Sequence, residues 1–107
     1  MFDFSMQKIL RLATESNCSE VIVNVGQPPT VKISTGELVR LEAPRLTSED
    51  TIRIMRSITP KQNLKEIESH DSTEFDVSIH DDYRFKISIV TDLNGVRIHA
   101  FRISEVL

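Results

Sequence analysis

The sequence contains one cysteine, no tryptophan, only three glycines and no long apolar run. The single thiol, Cys18, cannot form an internal disulfide and does not supply the ligand spacing of a metal site. No segment approaches the roughly 18 consecutive apolar residues of a transmembrane helix, and the first residues lack the basic-then-apolar order of a secretory signal. We therefore expect a cytoplasmic protein without direct membrane insertion.

An excess of positive charge is also missing. The 107 residues carry 13 Lys and Arg against 16 Asp and Glu, which gives a formal net charge of −3. Nucleic-acid-binding domains are usually basic, so this balance argues against a nucleic-acid partner. The length fits one domain with a single modest core.

Motifs of catalysis are absent as well. There is no Gly-x-x-x-x-Gly-Lys-Ser/Thr loop to hold a nucleoside triphosphate and no Gly-x-Gly-x-x-Gly after a strand. His70, His80 and His99 fall on different elements, so they do not form a spaced metal-ligand cluster. Cys18 has no base beside it that would make a reactive thiolate. The residues therefore predict no catalytic site, no metal and no cofactor, and the chain is not expected to be an enzyme.

The pattern of apolar residues predicts an α+β fold. Met6, Ile9, Leu10 and Ala13 form one stripe of a first helix. A capping box at Thr47 opens a second helix with Ile52, Met55 and Ile58 inward, and Thr59 as N-cap before Pro60 opens a third. The predicted helices cover 4–16, about 47–58 and about 60–69, and the predicted strands are 20–25, 30–34, 37–41, 73–79, 83–92 and 96–103. The order α-βββ-αα-βββ indicates an antiparallel sheet of about six strands with helices on one face.

The last two strands are predicted to form a long hairpin. Asn94-Gly95 is typical of a type I′ turn. Arg84, Lys86 and Ser88 then alternate with apolar residues and share one face. A two-residue loop at Asn94-Gly95 would place Ala100 opposite Ile89, and Phe101 on the face of Lys86. Either that face is partly apolar and covered, or a bulge shifts the register.

Cations are concentrated on this hairpin: Arg84, Lys86, Arg97 and Arg102. In one interpretation they pair across strands with Glu74 and Asp76, which stabilises the sheet only slightly. In the other they form a site for phosphate or for an acidic partner, because Arg presents a planar fork to oxyanions.

Several motifs occur in an order and spacing that resemble a known family. They are Gly26-Gln27-Pro28-Pro29, Gly36-Glu37-Leu38, Leu46-Thr47-Ser48-Glu49-Asp50, Ile58-Thr59-Pro60-Lys61-Gln62, Arg84-Phe85-Lys86-Ile87-Ser88 and Ala100-Phe101-Arg102-Ile103. The chain is similar in these motifs to the N-terminal, PAS-like domain of the PilT-type ATPases, the hexameric motors of type IV pilus retraction and related secretion systems.

The resemblance implies a domain that packs on the ATPase domain of the same or another subunit. In the family, arginines of an Arg-Phe-Arg strand approach the nucleotide phosphates that the ATPase domain holds. This role would fall to Arg84, to Lys86 in place of the second arginine, and more weakly to Arg102. ATP would reach the chain only through that partner. Lys86 keeps the charge of the arginine it replaces but loses its bidentate geometry.

Residues 1–107 are therefore interpreted as a single PilT N-terminal-like domain without a P-loop ATPase domain. The chain would be either an excised domain or a stand-alone relative that has lost the motor. Two alternatives stay open. One is a PAS-like ligand sensor with a cavity under the sheet, and the other is an adaptor that docks on a motor protein or a small GTPase.

Overall fold

The computed structural model describes residues 5–15, 17–80 and 83–103. Within these ranges, three helices and six strands follow the predicted order. The helices are α1 (Met6–Glu15), α2 (Ser48–Arg56) and α3 (Lys61–His70), and the strands are β1 (Cys18–Val23), β2 (Thr30–Ile33), β3 (Leu38–Arg40), β4 (Ser72–His80), β5 (Tyr83–Asp92) and β6 (Gly95–Ile103). The α+β prediction is confirmed. The expected outer residues of the first helix, 4 and 16, lie outside the described part.

The six strands form one antiparallel sheet in the order β3-β2-β1-β6-β5-β4. The first and last strands of the chain are thus neighbours in the centre of the sheet. Val21 lies opposite Ala100, and Val23 lies opposite Ile98. This pairing closes the two halves of the chain into one core, and it places the final hairpin between β1 and β4.

The core lies between the sheet and the helices. Its largest fully buried side chains include Phe85, Met6, Ile9, Leu10 and Ile54. In α1 the predicted stripe is confirmed, because Met6, Ile9, Leu10 and Ala13 are all buried. In α2 the predicted stripe is wrong at Ile52, which is exposed, while Thr51 and Ile54 face inward. None of the described helices is long and apolar enough to span a bilayer.

Two helix starts differ in their capping. At α2 the capping box is complete, since the Asp50 amide donates to Thr47 Oγ1 at 3.1 Å and the Thr47 amide donates to Asp50 Oδ2 at 2.8 Å. At α3 the N-cap is Pro60, not Thr59 as predicted, and it makes no side-chain cap. The Thr59 hydroxyl instead donates to the Met55 carbonyl at 2.6 Å, which ties α2 to the start of α3.

The hairpin turn is centred on Leu93-Asn94, so the predicted type I′ turn at Asn94-Gly95 is wrong. Asp92 pairs with Gly95 across the ladder. A type I′ turn needs a positive φ at both central residues, and neither Leu93 nor Asn94 has one. Asp92 Oδ1 accepts the Asn94 amide at 2.8 Å, and Gly95 takes the positive φ of 118°. This local hydrogen bond starts the turn one residue earlier than Asn-Gly alone suggests.

The new turn shifts the pairing by two residues. Ile89 lies opposite Ile98, and Ile87 lies opposite Ala100. Because a shift of two keeps each side chain on its face, Phe101 still shares the face of Lys86, as expected from the sequence. Of the two possibilities left open, the partly apolar face is correct, but the expected cover is not found in the described part of the chain, where Phe101 is exposed.

Candidate functional site

One face of the sheet lies opposite the helices, and its side chains are exposed or half-buried. We call it the open face. It is formed by the side chains that alternate with the core residues: Glu74 and Asp76 of β4, Arg84, Lys86, Ser88 and Val90 of β5, Arg97, His99 and Phe101 of β6, Glu20 and Ile22 of β1, Lys32 of β2, and Leu38 and Arg40 of β3. Leu38, Val90 and Phe101 are exposed large apolar side chains on this face.

Arg84 and Lys86 lie side by side on the open face, as predicted. Arg84 Nη2 is 3.6 Å from Asp76 Oδ2, and Lys86 Nζ is 3.6 Å from Glu74 Oε2. About half of each of these cationic side chains is accessible. Ion pairs of this length and exposure stabilise a fold by less than about 1 kcal/mol. The cross-strand pairing predicted from the sequence is therefore present, and it leaves both cations within reach of a second molecule.

Arg102 lies on the other face of the sheet. Its backbone pairs with Phe85, so its side chain emerges on the helix-bearing side. The guanidinium carbon lies 4.5 Å from the centroid of the Tyr83 ring, and Nη1 donates to Asn17 Oδ1 at 3.0 Å. The structure thus brings Arg84 and Lys86 together and separates Arg102 from them. Arg102 holds the end of β6 against the turn that follows α1.

Cys18 is the first residue of β1, and it is buried close to Arg102 of β6. Burial raises the pKa of the Cys18 thiol, and the nearby charge of Arg102 opposes this rise without cancelling it. A thiol with a raised pKa carries little thiolate at neutral pH and is a poor nucleophile. Cys18 is therefore a buried core residue at the start of the first strand.

The centre of the open face carries an aromatic pair that sequence reasoning did not single out. The rings of His99 and Phe101 are 6.0 Å apart, and Phe101 is 42% exposed. His99 Nδ1 lies 3.2 Å from Glu20 Oε1 of the neighbouring strand. The alternation along β6 shows that Phe101 lies on the same face as Lys86. The contact of Glu20 with His99 depends on the pairing of β1 with β6, and no local sequence pattern predicts that pairing.

Arg97, the fourth cation of the hairpin, lies near its turn. Its Nη2 donates to Asp92 Oδ2 at 2.8 Å, so it is engaged by the carboxylate at the end of β5. The cation set predicted from the sequence therefore divides into three residues on the open face, of which Arg97 lies beside the turn, and one residue, Arg102, on the opposite face.

Among the described residues, three open clefts border the sheet. The first, of about 400 Å³, includes Asn24, Gln27, Asn94 and Arg97. The others measure about 720 Å³ beside β3 and about 500 Å³ along the start of β4, with Glu66 of α3 and Ser88 of β5 in its lining. Asn24 Oδ1 is buried at the first cleft and has no hydrogen-bond partner among the described residues. These clefts are surface depressions and not cavities enclosed beneath the sheet.

This chain is similar to known proteins in its three-dimensional structure. No family model and no curated protein matches the sequence. Among solved structures, the pilus retraction motor PilT with bound ADP matches with a TM-score of 0.84 and 23% identity, over 98% of this chain and 31% of that one. The ATPase DotB of Legionella pneumophila matches with a TM-score of 0.78 and 18% identity, over 96% and 30% of the two chains. DotB of Yersinia pseudotuberculosis matches with a TM-score of 0.68 and 20% identity, over 96% of this chain and 31% of that one.

The chain spans about a third of the length of each of these matched proteins. The resemblance inferred from the motifs is therefore confirmed in the fold: this chain has the architecture of a segment of the pilus retraction motor PilT and of the ATPase DotB.

Proposed function

We propose that this chain is a non-catalytic N-terminal-type domain of a pilus-retraction or secretion ATPase, which mediates subunit assembly and nucleotide-linked contacts with an ATPase domain. The observation that carries the proposal is the fit of 98% of the chain onto 31% of a retraction motor whose structure holds ADP. The ATPase domain would belong to the same or another subunit of a hexameric, cytoplasmic motor. ATP would be bound by that domain and not by this chain alone.

The open face supports the proposal. Arg84 and Lys86 project from the first half of β5, and their side chains are about half accessible. A strand between two paired neighbours holds such groups more firmly than a loop does. Arg84 supplies a planar fork for phosphate oxygens, and Lys86 supplies a compact charge. The exposed ring of Phe101, directly opposite Lys86, supplies an apolar anchor beside them.

The two neighbouring acids leave Arg84 and Lys86 able to bind a second anion. Glu74 and Asp76 lie at 3.6 Å, which is longer than a charge-assisted hydrogen bond of about 2.7–2.9 Å. A phosphate group that reaches hydrogen-bond distance would therefore compete successfully with these carboxylates. Domain motion that brings the phosphates closer or farther would couple nucleotide state to docking.

The test is ATP turnover by an ATPase domain from the same organism, with the chain supplied in trans. Arg84→Ala and Lys86→Ala should each lower the stimulated turnover about tenfold, which is about 1.4 kcal/mol of transition-state stabilisation. Lys86→Arg should keep or raise it, because Arg binds phosphate in a bidentate manner. Arg56→Ala, which removes an exposed cation on α2, is the matched control. Equal turnover with Arg84→Ala and with the wild-type chain would contradict the phosphate role.

The two alternatives make different predictions. A ligand sensor needs an enclosed site, and the three clefts described above are open, so they give it no support. An adaptor would use the same open face on a motor or a small GTPase. In that case Phe101→Ser would abolish binding to the partner, while Arg84→Ala would leave ATP turnover unchanged.

A further inference from the structure

The open face carries charge in stripes that change sign from strand to strand. The stripes are acidic on β4 (Glu74, Asp76), basic on β5 (Arg84, Lys86), aromatic on β6 (His99 and Phe101, with Arg97 beside the turn), acidic on β1 (Glu20) and basic on β2 (Lys32). The register places one member of each stripe in a single row across the sheet: Asp76, Lys86, Phe101, Glu20 and Lys32. The row is thus acid, base, aromatic, acid, base.

Reversing the order of this row exchanges acids and bases and leaves the aromatic residue in place. A two-fold rotation about an axis parallel to β6 performs this reversal, because it keeps the position along the strands and swaps the two sides. Lys86 then meets Glu20 of the second copy, and Asp76 meets Lys32 of the second copy. Phe101 meets its own equivalent on the axis. We propose that the open face is self-complementary and that two copies of this chain associate face to face through it.

The contact is isologous, so every favourable pair occurs twice. Two sheets pack about 10 Å apart with side chains interdigitating, which suits a face centred on a Phe101 ring that is 42% exposed. An exposed aromatic ring surrounded by charges is a typical centre of an interface. Arg97 also approaches its own equivalent near the axis, and Asp92 already neutralises it at 2.8 Å.

The size of the face sets the strength of the association. Five strands about 4.8 Å apart and about 20 Å long present roughly 500 Å². A standard stable interface buries about 800 Å² on each partner. The dimer is therefore weak and reversible, and its specificity comes from the order of charges rather than from area.

This inference does not depend on the proposed function, because it needs only the chain itself. It adds a consequence for that function. One open face cannot hold a second copy and an ATPase domain at the same time, so pairing of two copies would compete with docking on the motor.

The test is sedimentation equilibrium of the chain at concentrations up to about 1 mM, which covers weak as well as tight association. The wild-type chain should show a reversible monomer–dimer equilibrium. Lys86→Glu would place two acids together at each pair, and Glu20→Lys would place two bases together. Each variant alone should raise the dissociation constant about tenfold or more. An equimolar mixture of the two variants should restore dimers, because each contact in a mixed dimer then joins one acidic and one basic side chain.

Two further variants complete the design. Lys65→Glu makes the same charge change on an exposed residue of α3, and it should leave the dimer unchanged. Phe101→Ser removes the central ring without opening the core and should weaken the dimer, with circular dichroism confirming that the chain is folded. A wild-type chain that stays monomeric up to about 1 mM would overturn the inference. So would dimers that tolerate both charge reversals, or a mixture that fails to recover association.

Discussion

Phe85 and Arg102 are paired directly across the ladder of the final hairpin, so the Arg102 side chain emerges on the helix-bearing face and not with Lys86. Of the three cations that the sequence predicted as one site, Arg84 and Lys86 share the open face. The third, Arg102, makes contacts within the fold. The guanidinium lies over the Tyr83 ring and donates to Asn17 Oδ1. This division separates the effects expected of each residue on stability and on docking.

The first prediction concerns Arg102. Arg102→Ala should lower the free energy of unfolding by about 1–2 kcal/mol, because it removes a cation–π contact and a hydrogen bond. Arg84→Ala should change it by less than about 1 kcal/mol, since the ion pair of Arg84 with Asp76 is half exposed. Urea unfolding followed by circular dichroism measures both. A larger loss with Arg84→Ala than with Arg102→Ala would contradict the assignment.

The second prediction concerns the acids beside the two cations. The double variant Glu74→Gln and Asp76→Asn should leave the stability within about 0.5 kcal/mol, because it removes only exposed ion pairs. It should strengthen binding to an ATPase domain, since Arg84 and Lys86 lose their competing carboxylates. Isothermal titration calorimetry measures the affinity. Weaker binding would show that the acids themselves contact the partner.

The third prediction concerns the pH dependence of the α2 capping box. Hydrogen bonds from the backbone and the side chain of Thr47 lower the pKa of Asp50. A carboxylate whose folded pKa is lowered stabilises the fold above its unfolded pKa, and this contribution is lost as the pH falls through the folded value. Asp50→Asn should therefore be less stable than wild type near neutral pH. The difference should shrink below about pH 4, the ordinary range of an aspartate.

Thermal unfolding across this pH range measures the difference. Thr47→Ala should cost about 1 kcal/mol near neutral pH, as is usual for the loss of an N-cap. An unchanged gap between wild type and Asp50→Asn at low pH would contradict the role of the ionised carboxylate.

The fourth prediction concerns the hairpin turn. Gly95 has a φ of 118°, and a Cβ at this position would lie 2.9 Å from Val25 Cγ2. Gly95→Ala should therefore destabilise the fold by more than about 1 kcal/mol. Gly36 has a φ of 92°, but a Cβ added there would meet nothing within 4 Å, so Gly36→Ala is the matched control. The difference between the two variants reports the contact with Val25, and equal losses would exclude it.

The sequence predicted the order and type of the elements because those follow from local periodicity. The α1 stripe and the Thr47 capping box involve residues within a few positions of one another, and both are confirmed. The turn at Leu93-Asn94 was missed because the Asp92 carboxylate competes with the preference of Asn-Gly. The prediction placed Ile52 inward because the spacing of apolar residues favoured that position. In the structure the polar residue Thr51 is buried there, and Ile52 is exposed.

The candidate site was predicted in part for a similar reason. Alternation along β5 is enough to place Arg84 and Lys86 on one face. Whether Glu20 and Lys32 join them depends on the contact of β1 with β6 and of β1 with β2. The first of these pairings joins opposite ends of the chain, and no local signal determines it. The charge stripes of the open face therefore become visible only in the folded sheet.

The central claim is that the open face, and not the helix-bearing face, docks on an ATPase domain. Titration of the isotopically labelled chain with that domain, at concentrations where the chain is monomeric, tests it through the NMR shifts of the backbone amides. The account predicts shifts centred on Glu20, Lys86 and Phe101, with residues of α2 and α3 unchanged. Shifts confined to the helices, with β5 and β6 unaffected, would contradict it.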